Sequence, residues 1–352
     1  MRTDTGFLRN LGKRRGSQED WRRERLDRGL KVRTEGLYAV SSWREILYLV
    51  GPRALLVLGL LLLPVLAPNL YWQRVLCVAG AYALLAITFD FLANYVGLVC
   101  VGGAFMTGVG GYVSGIFTYY LGFPWPVSIL LGTVLGAVIV TLLWLPSLPL
   151  RGIYFAILTF MFPFLARGII LALDAFGGTL GLGPVYGADN IWVENYLVIA
   201  VMLVAVFALR RLVGEDVGIL FLGVKDNDLA VLASGISITR VKAKGLFIGA
   251  LGGCFAGAYI VHLYNFMGTS LFATDFSILP IAATVMGGSG TLVGPMLGAL
   301  ILTPLSELLR GFGQLRVVLY ALVLIGFIMF KPEGIVNWLT RKYHQFEQWK
   351  KV

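Results

Sequence analysis

Residues 94–112 read NYVGLVCVGGAFMTGVGGY, and six of these nineteen positions are glycine. None is charged, and longer apolar segments flank the run on both sides. Each glycine weakens a helix interior by roughly 1 kcal/mol relative to alanine, so the run is costly as plain helical scaffold. Its glycines keep no single helical spacing but cluster as Gly102-Gly103 and Gly110-Gly111. That pattern predicts a helix that is broken or very closely packed. Irregular backbone at membrane depth is tolerated only where protein buries it or where it lines a cavity. MGGSGTLVGP at 286–295 has the same character, a sharp turn followed by a proline-bearing helix start.

The rest of the chain supplies the membrane. It is 58% hydrophobic and only 14% charged over 352 residues, where a soluble domain carries about a quarter of its residues as charged types. Lys and Arg number 29, of which 13 fall in residues 1–53, 6 in 210–244 and 5 in 331–352. The net charge of +10 therefore reflects basic flanks around apolar blocks and gives no nucleic-acid footprint. Basic flanks of membrane segments stay on the cytoplasmic side, so an even number of crossings is expected between successive basic stretches. Candidate crossings lie near 54–68, 75–93, 96–119, 125–146, 152–173, 195–212, 245–264, 276–287, 290–309 and 317–330. The expected fold is an all-α, polytopic transmembrane bundle. Ten crossings are favoured over eight, because reading 276–287 as a re-entrant half-helix breaks the parity. Residues 1–53 read as a cytoplasmic basic extension, 54–330 as the transmembrane domain containing the 210–244 loop, and 331–352 as a cytoplasmic basic tail. The first fifty residues mix acidic with basic side chains and lack the pattern of a signal peptide.

Chemistry-bearing motifs are few. GFLRNLGKR at 6–14 has the wrong spacing for a phosphate loop and carries Arg14 where a magnesium-binding hydroxyl belongs, so no ATPase of its own is expected. GLGPVYG at 181–187 and GSGTLVG at 288–294 are only partial dinucleotide fingerprints. Cys77, Cys100 and Cys254 all sit in apolar segments and read as small buried hydrophobes, with no metal site. The ionisable residues within or beside the apolar blocks are Asp90, Arg167, Asp174, His262 and Glu307. Intramembrane charge is costly and functional by default, yet these form no relay at helical spacing. That counts against a proton-driven secondary carrier.

Glycine pairs four apart recur at Gly111/Gly115, Gly132/Gly136, Gly249/Gly253, Gly253/Gly257 and Gly294/Gly298. Such spacing stacks small residues on one helix face and lets another backbone approach; helix packing is the simpler reading of each pair. In the central basic stretch, DNDLAVLA at 226–233 predicts a short helix with a carboxylate at its dipole-favoured N-terminus, stopped by Gly235. An ordinary cytoplasmic loop and a docking element for a cytoplasmic partner both fit, although the stretch is longer than a connector requires.

Taken in order, these segments resemble the membrane permeases of branched-chain amino acid ABC importers, specifically the LivM-type subunit. Tyr95, Gly97, Gly102, Ala104, Gly108, Gly110 and Tyr112 fall on that family's glycine-rich pattern, and LPLRGIYFAILTF at 148–160 matches its "LRGIYFAI-T" segment. Asp226-Asn227-Asp228 stands where the family has an acidic-Asn-acidic triplet, followed in register by Ala230, Gly235, Ile236 and Thr239-Arg240. MGGSGTLVGPMLGA at 286–299, SELLR at 306–310 and KPEGIV at 331–336 complete the match. The resemblance implies a type II ABC importer-like fold of about 8–10 transmembrane helices with broken glycine-rich segments. It implies a transport subunit that is not itself an enzyme and binds no cofactor, ATP and magnesium being used by partners. Those partners would be a homologous second permease (LivH-type) or a second copy of this chain, two cytoplasmic ATPases and a periplasmic or extracellular solute-binding protein, all around a bacterial or archaeal cytoplasmic membrane. Both termini would be cytoplasmic.

The resemblance also assigns residues. Tyr95, Gly97, Leu98, Cys100, Gly102, Gly103, Tyr112, Gly287 and Gly288 would line the translocation path. Asp226, Asn227, Asp228, Ala230 and Gly235 would couple to the ATPases. An outward loop around 174–195, with Asp174, Asp189 and Glu194, would face the binding protein. Departures from the family pattern fall inside the path: Leu98, Cys100 and Gly103 replace usual Gln, Ser and His, Asn94 replaces a glycine, FGGTLGL at 176–182 lacks its acidic residue, and Leu279 stands where Glu is common. A site poor in hydrogen-bonding groups suits an apolar side chain, so the expected cargo is a branched-chain or other hydrophobic amino acid. Urea, short amides and apolar carboxylates are the alternatives within the family, and an ion-coupled secondary transporter is the alternative outside it.

Overall fold

The computed structural model describes residues 43–349, apart from Pro68, Asp189, Gly313, Gln314 and Pro332. It divides into two units after Gly59. Of the first, the described part is the opening of helix α1 (Trp43–Leu66), which carries Arg44 and Arg53, so helix begins within the stretch expected to be an extension.

The second unit begins at Leu60. Its helices are α2 (Leu70–Phe91), α3 (Gly103–Leu121), α4 (Trp125–Trp144), α5 (Ile153–Leu173), α6 (Ile191–Gly214), α7 (Asp216–Asp226), α8 (Asp228–Ala233), α9 (Ile238–Tyr264), α10 (Asp275–Gly287), α11 (Val293–Leu308), α12 (Leu315–Phe330) and α13 (Ile335–Trp349). Six helical stretches among the described residues are long and apolar enough to cross a membrane: Leu70–Val96, Trp125–Ser147, Ile153–Leu173, Ile191–Gly214, Ile238–Tyr264 and Val293–Phe312. Every expected crossing overlaps a helix, although α10 has only 13 residues, or about 20 Å at 1.5 Å per residue.

Helices α2, α3 and α9 form the inside of this unit, with nearly all of α2 from Val75 to Leu92 buried. Their glycines explain how the helices come so close. A side-chain carbon at Gly110 on α3 would collide with the backbone of Cys254 on α9, and one at Gly257 with the backbone of Thr107. On α4, a carbon at Gly136 would lie 3.1 Å from Gly110 Cα and 3.2 Å from Cys254 Sγ. Three backbones thus converge at one level, the arrangement that small residues permit in a membrane where packing drives association. Each of the other glycine pairs named above also faces a neighbour, including Gly249 against Leu92 and Gly298 against the Ala283 backbone.

One end of the unit gathers two of the three basic stretches, 210–244 and the start of 331–352. Val96 packs on Gly245, Gly97 on Lys225, and Gly288 on Gly334. Residues 210–244 and the start of 331–352 therefore lie at the same end; of the four helices between them, α9 and α11 fall in stretches long enough to span, whereas α10 has 13 residues and α12 has 16. The opposite end is covered by residues 174–190. There Leu182 pairs with Met267 in an isolated antiparallel bridge and the Val185 N–H donates to Asn265 O. His262 Nδ1 bonds Tyr186 O at 2.8 Å; because a carbonyl only accepts, that nitrogen carries the proton, and Nε2 accepts from the Ser114 hydroxyl at 2.9 Å. This places His262 in a packing role. Of the three acids expected on the outward loop, Asp174 is exposed, Asp189 lies outside the described residues, and Glu194 is buried. Glu194 falls in the first turn of α6 facing Tyr259, whose hydroxyl bonds Glu194 O at 3.2 Å, so it forms no part of an outward face.

Gly110→Ala should lower the thermal unfolding midpoint of the detergent-purified chain by several degrees, because overpacking of this kind costs about 1–3 kcal/mol. Gly168→Ala, with open space around it, should leave the midpoint unchanged. The comparison is read by a thermal melt of both variants against the parent.

Candidate functional site

The expected break in the glycine-rich run is present and has three parts. Helix α2 ends in a π-helical turn, Leu92–Val96. Gly97 then adopts φ +79°, and its N–H and that of Leu98 both donate to Leu92 O. A side-chain carbon at Gly97 would also lie 3.0 Å from Lys225 Cα, so both backbone geometry and space require glycine there. Residues 98–102 are non-helical, and α3 starts at Gly103.

Non-helical backbone inside a bilayer needs partners supplied by protein. Val101 N–H donates to Thr159 Oγ1 at 3.2 Å, and Ala104 N–H donates to Ser277 Oγ at 3.0 Å. Gly102 lies under the Trp144 ring, where a side-chain carbon would be 2.5 Å from the indole and 2.9 Å from Thr159 O. At Gly103 a side-chain carbon would strike the Phe276 carbonyl. The segment is therefore held by α4, α5 and α10 together.

A second glycine turn is tied to this break by one carboxylate. Asp90 is completely buried near the end of α2. Its Oδ1 accepts from Gly290 N–H at 2.6 Å and Asn94 Nδ2 at 2.7 Å, and its Oδ2 accepts from Leu292 N–H at 3.0 Å. The Tyr95 hydroxyl donates to Gly290 O at 2.6 Å. Gly288, Gly290 and Leu292 all have positive φ, which turns the amides of this loop towards the carboxylate. Asp90 also sits at the N-terminus of α11, where the helix dipole favours negative charge. Asn94, read from the sequence only as a lost glycine, is part of this clamp.

Beside the break lies a small recess of about 10 Å³, room for roughly one water molecule, lined by Leu85, Thr88, Phe89, Leu92, Cys100, Gly103, Met106, Phe276, Ser277 and Pro280. Of the residues expected along a path, Cys100 and Gly103 border it. Leu98 is buried elsewhere, and Gly102 faces Trp144. Tyr112 meets Phe176 edge-on and Phe272 at a tilt, and its buried hydroxyl has no hydrogen-bond partner among the described residues. Tyr95, Gly287 and Gly288 belong to the clamped end, Gly287 packing against the Gly294 backbone. Thr88 and Ser277 were missed in the sequence, where a hydroxyl in an apolar helix reads as ordinary packing. The recess has few polar groups.

The expected short helix exists as α8, with Asn227 as its N-cap: Asn227 Oδ1 accepts from Ala230 N–H at 3.1 Å. Gly235, at φ +80°, ends it. Asp226 closes a preceding helix, α7, which the sequence reading had left as loop. That helix buries Gly218, Phe221 and Val224, and Phe221 meets Phe91 edge-on at 5.9 Å. Helix α8 instead leaves Leu229 63% and Leu232 54% exposed. Asp228 pairs with Arg151 at 2.9 Å, joining α8 to the LRG segment before α5.

A multi-pass helical bundle with a broken central helix, a clamped glycine turn and an exposed short helix defines a membrane permease. The chain belongs to the family of permease components of the branched-chain amino acid transport system, whose model matches residues 71–331. The high-affinity branched-chain amino acid transport system permease protein LivM of Escherichia coli is 22% identical over 340 residues, covering 86% of this chain and 80% of that protein. LivM of Salmonella typhimurium is 23% identical over 286 residues, 72% of this chain and 67% of its own length. A probable LivM of Methanocaldococcus jannaschii is 23% identical over 300 residues, 76% of this chain and 85% of that protein. No solved structure matches the chain.

Asp90→Asn should loosen the 288–292 turn, because one amide oxygen replaces two acceptors and a buried N–H left unmade costs about 1–3 kcal/mol. In a Ser289→Cys background, maleimide labelling of that cysteine should quicken by roughly tenfold when Asp90→Asn is added. Equal labelling rates in the two proteins would show that Asp90 does not hold the turn.

Proposed function

We propose that this chain is the LivM-type half of an ATP-driven importer for branched-chain or other hydrophobic amino acids, with the recess beside the break on its translocation path. The single observation carrying the coupling is the linkage of α8 to the break. Leu229 and Leu232 present an apolar tip at the end that gathers the basic segments, the form expected of an element seated in a groove on a cytoplasmic ATPase. Behind the tip, Asp228 holds Arg151 at 2.9 Å. Arg151 belongs to the connection between Trp144 and Thr159, the two residues that bear on Gly102 and Val101. Lys225, just before α8, bears on Gly97. A push on α8 therefore has a route to each end of the extended segment, through Lys225 to Gly97 and along the α4–α5 connection to Trp144 and Thr159.

In this reading two ATPases bind and hydrolyse ATP with magnesium, while this chain holds no nucleotide and performs no catalysis. A second permease, of LivH type or another copy of this chain, supplies the opposing wall of the path. A solute-binding protein delivers cargo to the end covered by residues 174–190. Both termini face the cytoplasm, with 1–53 as a basic extension, 54–330 as the membrane domain and 331–352 as a basic tail. The cargo assignment is supported by the LivM relatives, which are branched-chain amino acid permeases, and by the recess, where Thr88 and Ser277 add only two hydroxyls to apolar walls. Few fixed polar groups favour a ligand whose discriminating part is hydrocarbon.

Arg151 is largely exposed while Asp228 is half-buried, and an ion pair open to water on one side contributes little to stability, so its removal bears on coupling more than on folding. In the importer reconstituted with its partner subunits, Arg151→Asp should reduce amino acid transported per ATP hydrolysed by roughly tenfold, within the usual range for coupled sites. Adding Asp228→Arg should restore most of it. Unchanged transport in both single variants would contradict the coupling route. Uptake by this chain alone under an ion gradient would contradict the importer reading itself.

A further inference from the structure

Helix α13 follows α12 after a four-residue link, so it emerges where an apolar helix ends. Its opening turns carry a cation clamp around one indole. Lys331 Nζ lies 3.9 Å and Lys342 Nζ 4.6 Å from the Trp338 ring centroid. Neither lysine has an ion pair among the described residues, because nearby Glu333 is taken by Arg341 at 2.5 Å. Two ammonium groups drawn to one ring repel each other, and their charge is unmet within the described structure.

The surroundings specify what meets it. Ile335, Trp338, Leu339 and Lys342 share one face of α13 at spacings of three and four, and Leu339 is 52% exposed. Lys350 and Lys351 follow in the sequence. The helix start is fixed in place, with Asn337 Nδ2 donating to Glu333 O at 3.1 Å and reaching Ser289 O at 3.5 Å. Indole rings settle at the headgroup level of a bilayer, and basic residues just beyond a membrane helix attract anionic lipid. A free phosphate would satisfy the two lysines but leave the apolar face of Trp338 and Leu339 in water.

We propose that Lys331, Trp338 and Lys342 form a site for the phosphate of an anionic phospholipid, with α13 lying in the headgroup layer and its apolar face towards the acyl chains. The lipid then sits directly beside the 288–292 turn that Asp90 holds. The site is independent of the cargo and of any ATPase.

The test uses the full chain in nanodiscs of equal parts phosphatidylglycerol and phosphatidylcholine, with bromine on the acyl chains of one lipid or the other. The Trp338 signal is taken as the difference between the parent and Trp338→Phe. Brominated phosphatidylglycerol should quench it more than brominated phosphatidylcholine. Lys331→Gln and Lys342→Gln should each cut that preference about fivefold, the worth of one basic residue at an anionic surface. High salt should also weaken it. Equal quenching by the two lipids in the parent would overturn the proposal, and so would a preference that survives the double variant. Loss of the preference on adding inorganic phosphate at constant ionic strength would overturn the lipid assignment in favour of a free anion.

Discussion

A bilayer offers no water to backbone groups, and the segment 97–102 breaks away from an apolar spanning helix, Leu70–Val96, into a largely buried non-helical stretch. The rest of the structure follows from enclosing it. Thr159 accepts from its Val101 amide, Ser277 accepts from the Ala104 amide that follows in α3, and Trp144 covers Gly102. Asp90 fixes the turn of α10 into α11 against the end from which the segment departs. Remove Thr159, Ser277 or Asp90 and a backbone N–H loses its partner, at about 1–3 kcal/mol for each buried group left unmade.

The same constraint explains the glycines. At Gly97 glycine is required by positive φ, whereas at Gly110 and Gly257 it is required by another backbone lying where a side chain would be. One run of sequence thus holds two kinds of glycine, one that breaks a helix and one that lets helices close on one another. Both serve a centre that is rigid around a short irregular path.

Much of this was legible beforehand because it is local. Glycine clustering predicted the break, apolar blocks between basic flanks predicted the membrane-spanning helices, and the DND triplet predicted a capped short helix. The unread parts depend on partners distant in sequence. Nothing around Asp90 announces that its acceptors will be met by Gly290 and Leu292, two hundred residues away. Glu194 looked like part of an outward loop because it lies next to Asp189, yet α6 begins at Ile191 and carries it inside. Helix α7 was missed because only Gly218, Phe221 and Val224 mark its buried face. Leu98 and Cys100 looked equivalent as replacements for polar residues; the bend at Gly97 separates them, and only Cys100 reaches the recess.

Accessibility of Cys100 is the most direct measure of whether the broken helix borders a working path. With Cys77 and Cys254 replaced by alanine in the assembled importer, a small thiol-specific methanethiosulfonate should modify Cys100 during ATP turnover. The transported amino acid should slow that reaction. A Cys100 that stays unreactive in every state, with and without ATP and cargo, would contradict the account.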